Sequence, residues 1–143
     1  MAQFLRTATP MGDWRSFKFT HDESGVTYKE GYIYKIQDTI GVLILDIQYT
    51  SQGCKEAKEI EETEHGVLIY HAEKINVLKL LGTGEVFLPG DKVYWSGVQG
   101  AAVTPNYTTG YYWIGIAVAA AGMADEYVMI DLKGDKASLT EPL

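Results

Sequence analysis

The stretch YYWIGIAVAAAGMAD, residues 111–125, is the most apolar passage of the chain, and its reading decides the fold. At first sight it fits a membrane segment, a glycine-rich phosphate loop, or a buried strand that runs into a tight turn. Length removes the first. The uncharged run 107–124 contains two Thr, three Tyr and three Gly, and its apolar core from Ile114 falls short of the ~20 residues that cross a bilayer. Chemistry removes the second. A phosphate cradle packs glycines at a strand-to-helix turn and aims a Lys or a helix N-terminus at the anion. Between Gly115 and Gly122 stand Ile116, Val118 and four alanines, the next lysine is Lys133, and Asp125 and Glu126 repel phosphate. A buried strand remains.

The composition extends this reading. A chain of 143 residues has the size of one domain and buries most of the surface that its unfolded form exposes. Ten Tyr and fifteen Gly in a 46% hydrophobic sequence point to strands and turns, because aromatic side chains fit a pleated surface and Gly supplies positive φ. The formal charge is −7 with no cluster of Lys and Arg, which removes the electrostatic term behind nucleic-acid affinity. The single cysteine, Cys54, has no internal disulfide partner, as in a reducing compartment, and reads as a small semi-buried apolar side chain. Residues 1–12 (MAQFLRTATPMG) lack the apolar run of a secretory signal, since Arg6, Thr7 and Thr9 interrupt it. The expectation is synthesis in the cytoplasm and no membrane partner.

Along the chain, residues 16–20 (SFKFT) alternate like a strand with one wet face. Short β-prone pieces follow at 26–28 and 32–36, separated by turns. Residues 40–47 (IGVLILDI) form a continuous apolar run, the pattern of a strand buried on both faces. Residues 54–65 (CKEAKEIEETEH) have helical composition but offer only Ala57 and Ile60 for docking, too narrow a stripe; an extended, charged edge strand is expected there. Further strands are expected at 66–70, 75–81, 85–88, 92–95, 101–104, within 111–118 and at 127–132, with PGD at 89–91 a strong turn signal. Turns every eight to twelve residues predict an all-β fold, a small barrel or sandwich-like single domain. An extended N-terminal arm (1–15) precedes the β domain (16–134), and a polar tail (135–143) follows it. A weak internal echo runs through the pattern. VTYKEGYIY (26–34) followed by IGV (40–42) resembles VFLPGDKVY (86–94) followed by IGI (114–116).

Reactive chemistry is thinly represented. Of the three histidines, His65 and His71 are six residues apart, some 20 Å along a strand at ~3.3 Å per residue, too far for one metal. The paired carboxylates Asp22-Glu23, Glu61-Glu62 and Asp125-Glu126 are chain neighbours, and neighbours on a strand face opposite ways. No nucleophile elbow, HExxH helix or calcium loop occurs. The expectation is a protein without catalytic residues, metal or cofactor. Trp95 and Trp113 sit at strand positions and are expected inside. Trp14 lies in a polar lead-in and, with Phe4 and Leu5, gives the arm apolar anchors that its own segment cannot bury; such an arm folds back or docks on a partner.

PGDKVYW (89–95), AVT (102–104), IGIAV (114–118), AD (124–125) and VMIDLKG (128–134), in that order, resemble the head decoration, or capsid cement, proteins of tailed bacteriophages. EHGVLIY (64–70) is similar to the strand that precedes this block in that family. The likeness covers residues 58–134 well and 17–47 loosely, with an added residue in Glu-His-Gly and a Tyr-rich loop before Trp113 as departures. The resemblance implies a compact β module on the outer surface of the virion, bound to the major capsid protein at three-fold or quasi-three-fold positions. It further implies a homotrimer on the shell and no enzymatic activity. Phe4, Leu5, Arg6 and Trp14 of the arm are the expected capsid-contact residues. The alternative is a tail, fibre or carbohydrate-binding β module that uses Tyr107, Tyr111 and Tyr112; a small hydrolase would instead gather His65 or His71 with carboxylates.

Overall fold

A computed structural model describes residues 11–20, 28–45, 59–60 and 65–136. Among the described residues there is no α-helix, as the turn spacing predicts. The elements are β1 (Met11–Thr20), β2 (Tyr28–Lys29), β3 (Ile33–Ile36), β4 (Thr39–Leu45), β5 (Glu59–Ile60), β6 (His65–Leu78), β7 (Lys92–Trp95), β8 (Val103–Thr104), β9 (Tyr112–Ala117) and β10 (Tyr127–Lys133). A 3-10 turn, Gly134–Lys136, closes the described chain. The region expected to be an extended edge contributes β5, which pairs with β2.

The long strand β6 is the spine. One edge takes β1, with Thr20 opposite His65 and Trp14 opposite Ala72. The other edge takes β4 over its first half, Val42 opposite Ile69, and β10 over its second, Val128 opposite Val77. From β10 the sheet continues through β9 and β7 to β8, and β3 hangs on β4. The sheet curls so far that distant strands touch. The N–H of Leu80 donates to the Val103 carbonyl (2.9 Å), and that of Gly100 to the Ile33 carbonyl (2.7 Å). Gln99 completes the contact by acting as a short surrogate strand. Its Oε1 accepts from the Lys35 N–H (2.7 Å) and its Nε2 donates to the Lys35 carbonyl (3.0 Å).

Two apolar clusters fill the body. The larger gathers Ile40, Val42, Ile69, Ile75, Val77, Phe87, Trp95, Ile114, Ile130 and Leu132, all inaccessible to solvent, each contributing about 1.5–3 kcal/mol by burial. The smaller joins Leu43 and Leu68 to Tyr28 and Tyr34, with Phe17 and Phe19 of β1 packed against them. Alternating residues of β4 therefore serve both clusters, which is why 40–47 reads as continuously apolar.

Three expectations shift. Residues 66–70 and 75–81 were expected as separate strands, yet β6 runs unbroken through His71-Ala-Glu-Lys74. The pairing of Ile130 with Ile75 but Leu132 with Ala72 places an extra β6 residue opposite β10. Such a bulge resets the inward phase while preserving the strand, and in sequence it looks like a break. Residues 85–88 form a single bridge, Phe87 to Ala121, not a strand. Trp113 is only half-buried, because β9 directs Ile114 and Tyr112 at the core instead.

The sequence echo has a counterpart in hydrogen bonding. The N–H of Gly31 donates to Leu43 O (2.8 Å) and Leu43 N–H returns to Tyr32 O (3.0 Å); the N–H of Gly90 donates to Ala117 O (2.8 Å) and Ala117 N–H returns to Asp91 O (2.8 Å). Both glycines have left-handed φ, 92° and 96°. Two residues after each, Ile33 faces Val42 and Lys92 faces Ile116. The preceding Gly41 and Gly115 again match. A Cβ on Gly41 would strike the carbonyl oxygen of Ile69, and one on Gly115 that of Asp131, so only glycine lets these backbones approach.

Candidate functional site

Of the expected capsid-contact residues, Phe4, Leu5 and Arg6 lie outside the described residues. Trp14 is 45% exposed and belongs to β1, since that strand begins at Met11 and takes in residues 11–15 of the expected arm. Gly12, at φ 77°, and a register slip between Met11 and Trp14 carry the chain past Glu73. Without that pairing partner in view, the lead-in looks irregular.

The tyrosines of the alternative reading are largely spent on internal packing. Tyr107 meets the buried Tyr94 edge-on at 5.2 Å between ring centres, and Tyr112 packs on Trp95 at 5.9 Å. Tyr107, Tyr111 and Tyr112 are all half-buried. The Nε1 of Trp113 is shielded from solvent with no acceptor.

Among the described residues, reactive groups are not gathered. His71 is half-buried in β6, opposite Arg15 on one side and Lys133 on the other, with Nδ1 shielded and unpartnered. His65 stands six positions earlier at the start of the same strand; His21 and Cys54 lie outside the described residues. Among the described residues no three His, Cys, Asp or Glu side chains are grouped to hold a metal ion. No helix there is long and apolar enough to cross a membrane. A cleft of about 670 Å³ lies between β1 and the β3–β4 turn, lined by Phe17, Phe19, Tyr28 and Ile36 with Lys18 and Lys35.

Several carboxylates lock turns. Asp91 Oδ2 accepts from the Leu88 N–H (2.8 Å) and Asp125 Oδ2 from the Gly122 N–H (2.7 Å). Glu85 receives the Thr104 hydroxyl (2.6 Å) and the Asn106 amide (3.3 Å), and that amide also donates to Gly84 O (3.0 Å). Lys79 is buried, and its ammonium donates to the backbone carbonyls of Leu80 (2.7 Å) and Asp125 (3.2 Å). The Lys79–Asp125 bond ties 79–91 to 117–126, the aspartates close the turn within each segment, and Glu85 fastens the first segment to 104–106.

That junction carries a surface with no motif in the sequence. The N–H of Gly82 donates to Met123 O (3.0 Å), Phe87 and Ala121 exchange two backbone bonds, and Gly90 bonds Ala117. Phe87 and Ala121 turn inward to the core, so their neighbours turn outward. Val86 and Leu88 are exposed as a result, Leu88 by 60%, and Leu81 (58%), Val118 and Met123 are exposed on the same two segments. No family model matches the chain. No curated protein matches it significantly either.

Proposed function

We propose that this chain is a structural virion protein that decorates a tailed-phage capsid, binding the major capsid protein at three-fold or quasi-three-fold positions, as a trimer on the shell. One observation carries the reading. The ordered segments behind the family resemblance are the strands β7, β8, β9 and β10 of one continuous sheet, wrapped around a solid apolar centre. Such a body is stiff, and its outward apolar side chains suit adhesion. A decoration protein acts by adding contacts across capsomer seams, which needs rigidity and complementary surface but no turnover. The acidic charge keeps it soluble and away from packaged or host nucleic acid. In this role the arm, with Phe4, Leu5, Arg6 and Trp14, reaches along the shell.

The test is direct. Purified protein is mixed with empty expanded heads assembled from the major capsid protein of the same phage. Saturable binding at a fixed copy number per head, with a higher head melting temperature, is expected; no binding at any head stage ends the proposal. Deleting residues 1–10 spares β1 and is expected to weaken attachment while the body stays folded. A deletion through residue 15 removes half of the paired strand, so it tests folding as well as docking.

A further inference from the structure

We infer that the outward face of the junction between residues 79–91 and 117–126 is the surface that seats on the shell, and that its partner is an apolar protein patch ringed by lysine or arginine. The inference rests on the proposed function and assigns the docking face within it.

Leu80, Leu81, Val86, Leu88, Val118 and Met123 are all exposed on two segments that backbone bonds join at Gly82–Met123, Phe87–Ala121 and Gly90–Ala117. Large exposed apolar groups gathered at one place mark an interaction site, whereas scattered ones do not. The face is also preorganised. Lys79, Asp91 and Asp125 tie the chain down by bonds to backbone, and Asn106 with Thr104 fixes Glu85. A surface fixed beforehand loses little entropy on docking.

Charge selects the partner. The two segments hold Glu85, Asp91, Asp125 and Glu126 against Lys79 alone, a formal −3, and Lys79 is buried with its ammonium bound to carbonyls. A second copy using the same face would press two acidic rims together, and an anionic lipid surface would be repelled. A basic-rimmed apolar patch is complementary on both counts.

The experiment uses the full chain and the same expanded heads, with co-sedimentation as the readout. Leu88→Asp and Leu81→Asp, tested separately, are each expected to weaken binding at least tenfold while the thermal transition stays within a few degrees of wild type. Val98→Asp is the control. Val98, the most exposed large apolar side chain among the described residues at 65%, sits in the β7–β8 turn outside this face. Glu126→Lys is expected to weaken binding as well, and raised salt to weaken the wild type. If the wild type binds heads and both leucine variants bind equally well, the inference falls and the proposed function stands. If the wild type does not bind heads, both fall. If Leu88→Asp instead dissociates a soluble oligomer without affecting head binding, the face joins copies of this chain and the inference is wrong.

Discussion

Gly115→Ala is a sharp test of the fold, because the structure reverses the usual sign of the change. In an ordinary strand, replacing Gly by Ala stabilises by about 0.4–1 kcal/mol, since it narrows the unfolded ensemble. At position 115 the new Cβ would fall on the Asp131 carbonyl oxygen, with the carbonyl carbon at 3.1 Å and Leu132 Cα at 3.4 Å. These atoms are all backbone of β10, held between β9 and β6, so no flexible tip can step aside. Relief requires parting β9 from β10 where Asp131 faces Ile116 and Leu132 faces Gly115. Overpacking of this kind costs about 1–3 kcal/mol, and each loosened ladder bond adds about 1 kcal/mol. The expected loss is therefore about 3 kcal/mol, or roughly 6–12 °C in Tm at ~2–4 °C per kcal/mol. Urea denaturation at unchanged slope measures it. Gly41→Ala, which meets the Ile69 carbonyl and Leu68 Cγ at 2.8 Å, is expected to behave alike. Gly122→Ala is the control: its Cβ meets only Asp125 Oδ2 at 3.6 Å, and the variant is expected to be neutral or up to about 1 kcal/mol more stable. A Gly115→Ala protein as stable as wild type would refute the close approach.

Gln99→Ala removes both bonds to Lys35; a loss of about 1–2 kcal/mol is expected, with faster amide hydrogen exchange at Lys35, and unchanged exchange would show that Gln99 does not cover that edge. Gln37 opens the two-residue turn between Ile36 and Thr39 at φ 58°, a region that costs a residue with a Cβ about 1–2 kcal/mol but which Asn tolerates. Gln37→Asn is thus expected to raise the urea midpoint slightly, by about 0.5 kcal/mol, and a lowered midpoint would contradict this. Ile130→Ala empties a fully buried position at the centre of the larger cluster; about 2–5 kcal/mol of destabilisation is expected, and a loss under about 1 kcal/mol would place Ile130 outside the load of that core.

Local pattern is legible wherever a strand's own residues reveal its environment. The run 40–47 announces burial on both faces, and β4 does serve both clusters through Ile40 and Val42 on one side and Leu43 on the other. The alternation in β10 is equally plain. What stayed hidden depends on partners distant in sequence. The bulge near Ala72 shifts the inward phase of β6 and disguises one strand as two. The start of β1 at Met11 depends on β6 being long enough to pair with it. For the candidate surface, alternation in 85–88 tells which residues share a face, but not that Phe87 turns inward while Val86 and Leu88 stay uncovered. That outcome follows from the bridge to Ala121, which only the folded chain supplies. Charge was the legible half of the site, since Glu85, Asp91, Asp125 and Glu126 stand out in any reading.

The paired geometry of Gly31 with Gly41 and of Gly90 with Gly115 explains how so small a body closes. Both units put a left-handed glycine before a strand, exchange two bonds with the second strand, one in each direction, and press an Ile-Gly-aliphatic strand against a carbonyl of the next one. They differ in their connections. The first unit turns at residues 37–38, whereas the second opens its hairpin with residues 96–111, which include β8. That longer connection does structural work in two directions. Gln99 and Gly100 return to Lys35 and Ile33 of the first unit, while Val103 receives Leu80 as the chain leaves β6. A two-residue turn in the second unit could make neither contact, and the curled sheet would stay open along β3. Closure is thus assigned to one end of the β7–β9 hairpin. The segments at its other end, around Asp91 and Ala117, are left to present apolar side chains outward. A curled body with exposed apolar groups held away from its closing loop is the division of labour that the proposed attachment to a shell would use.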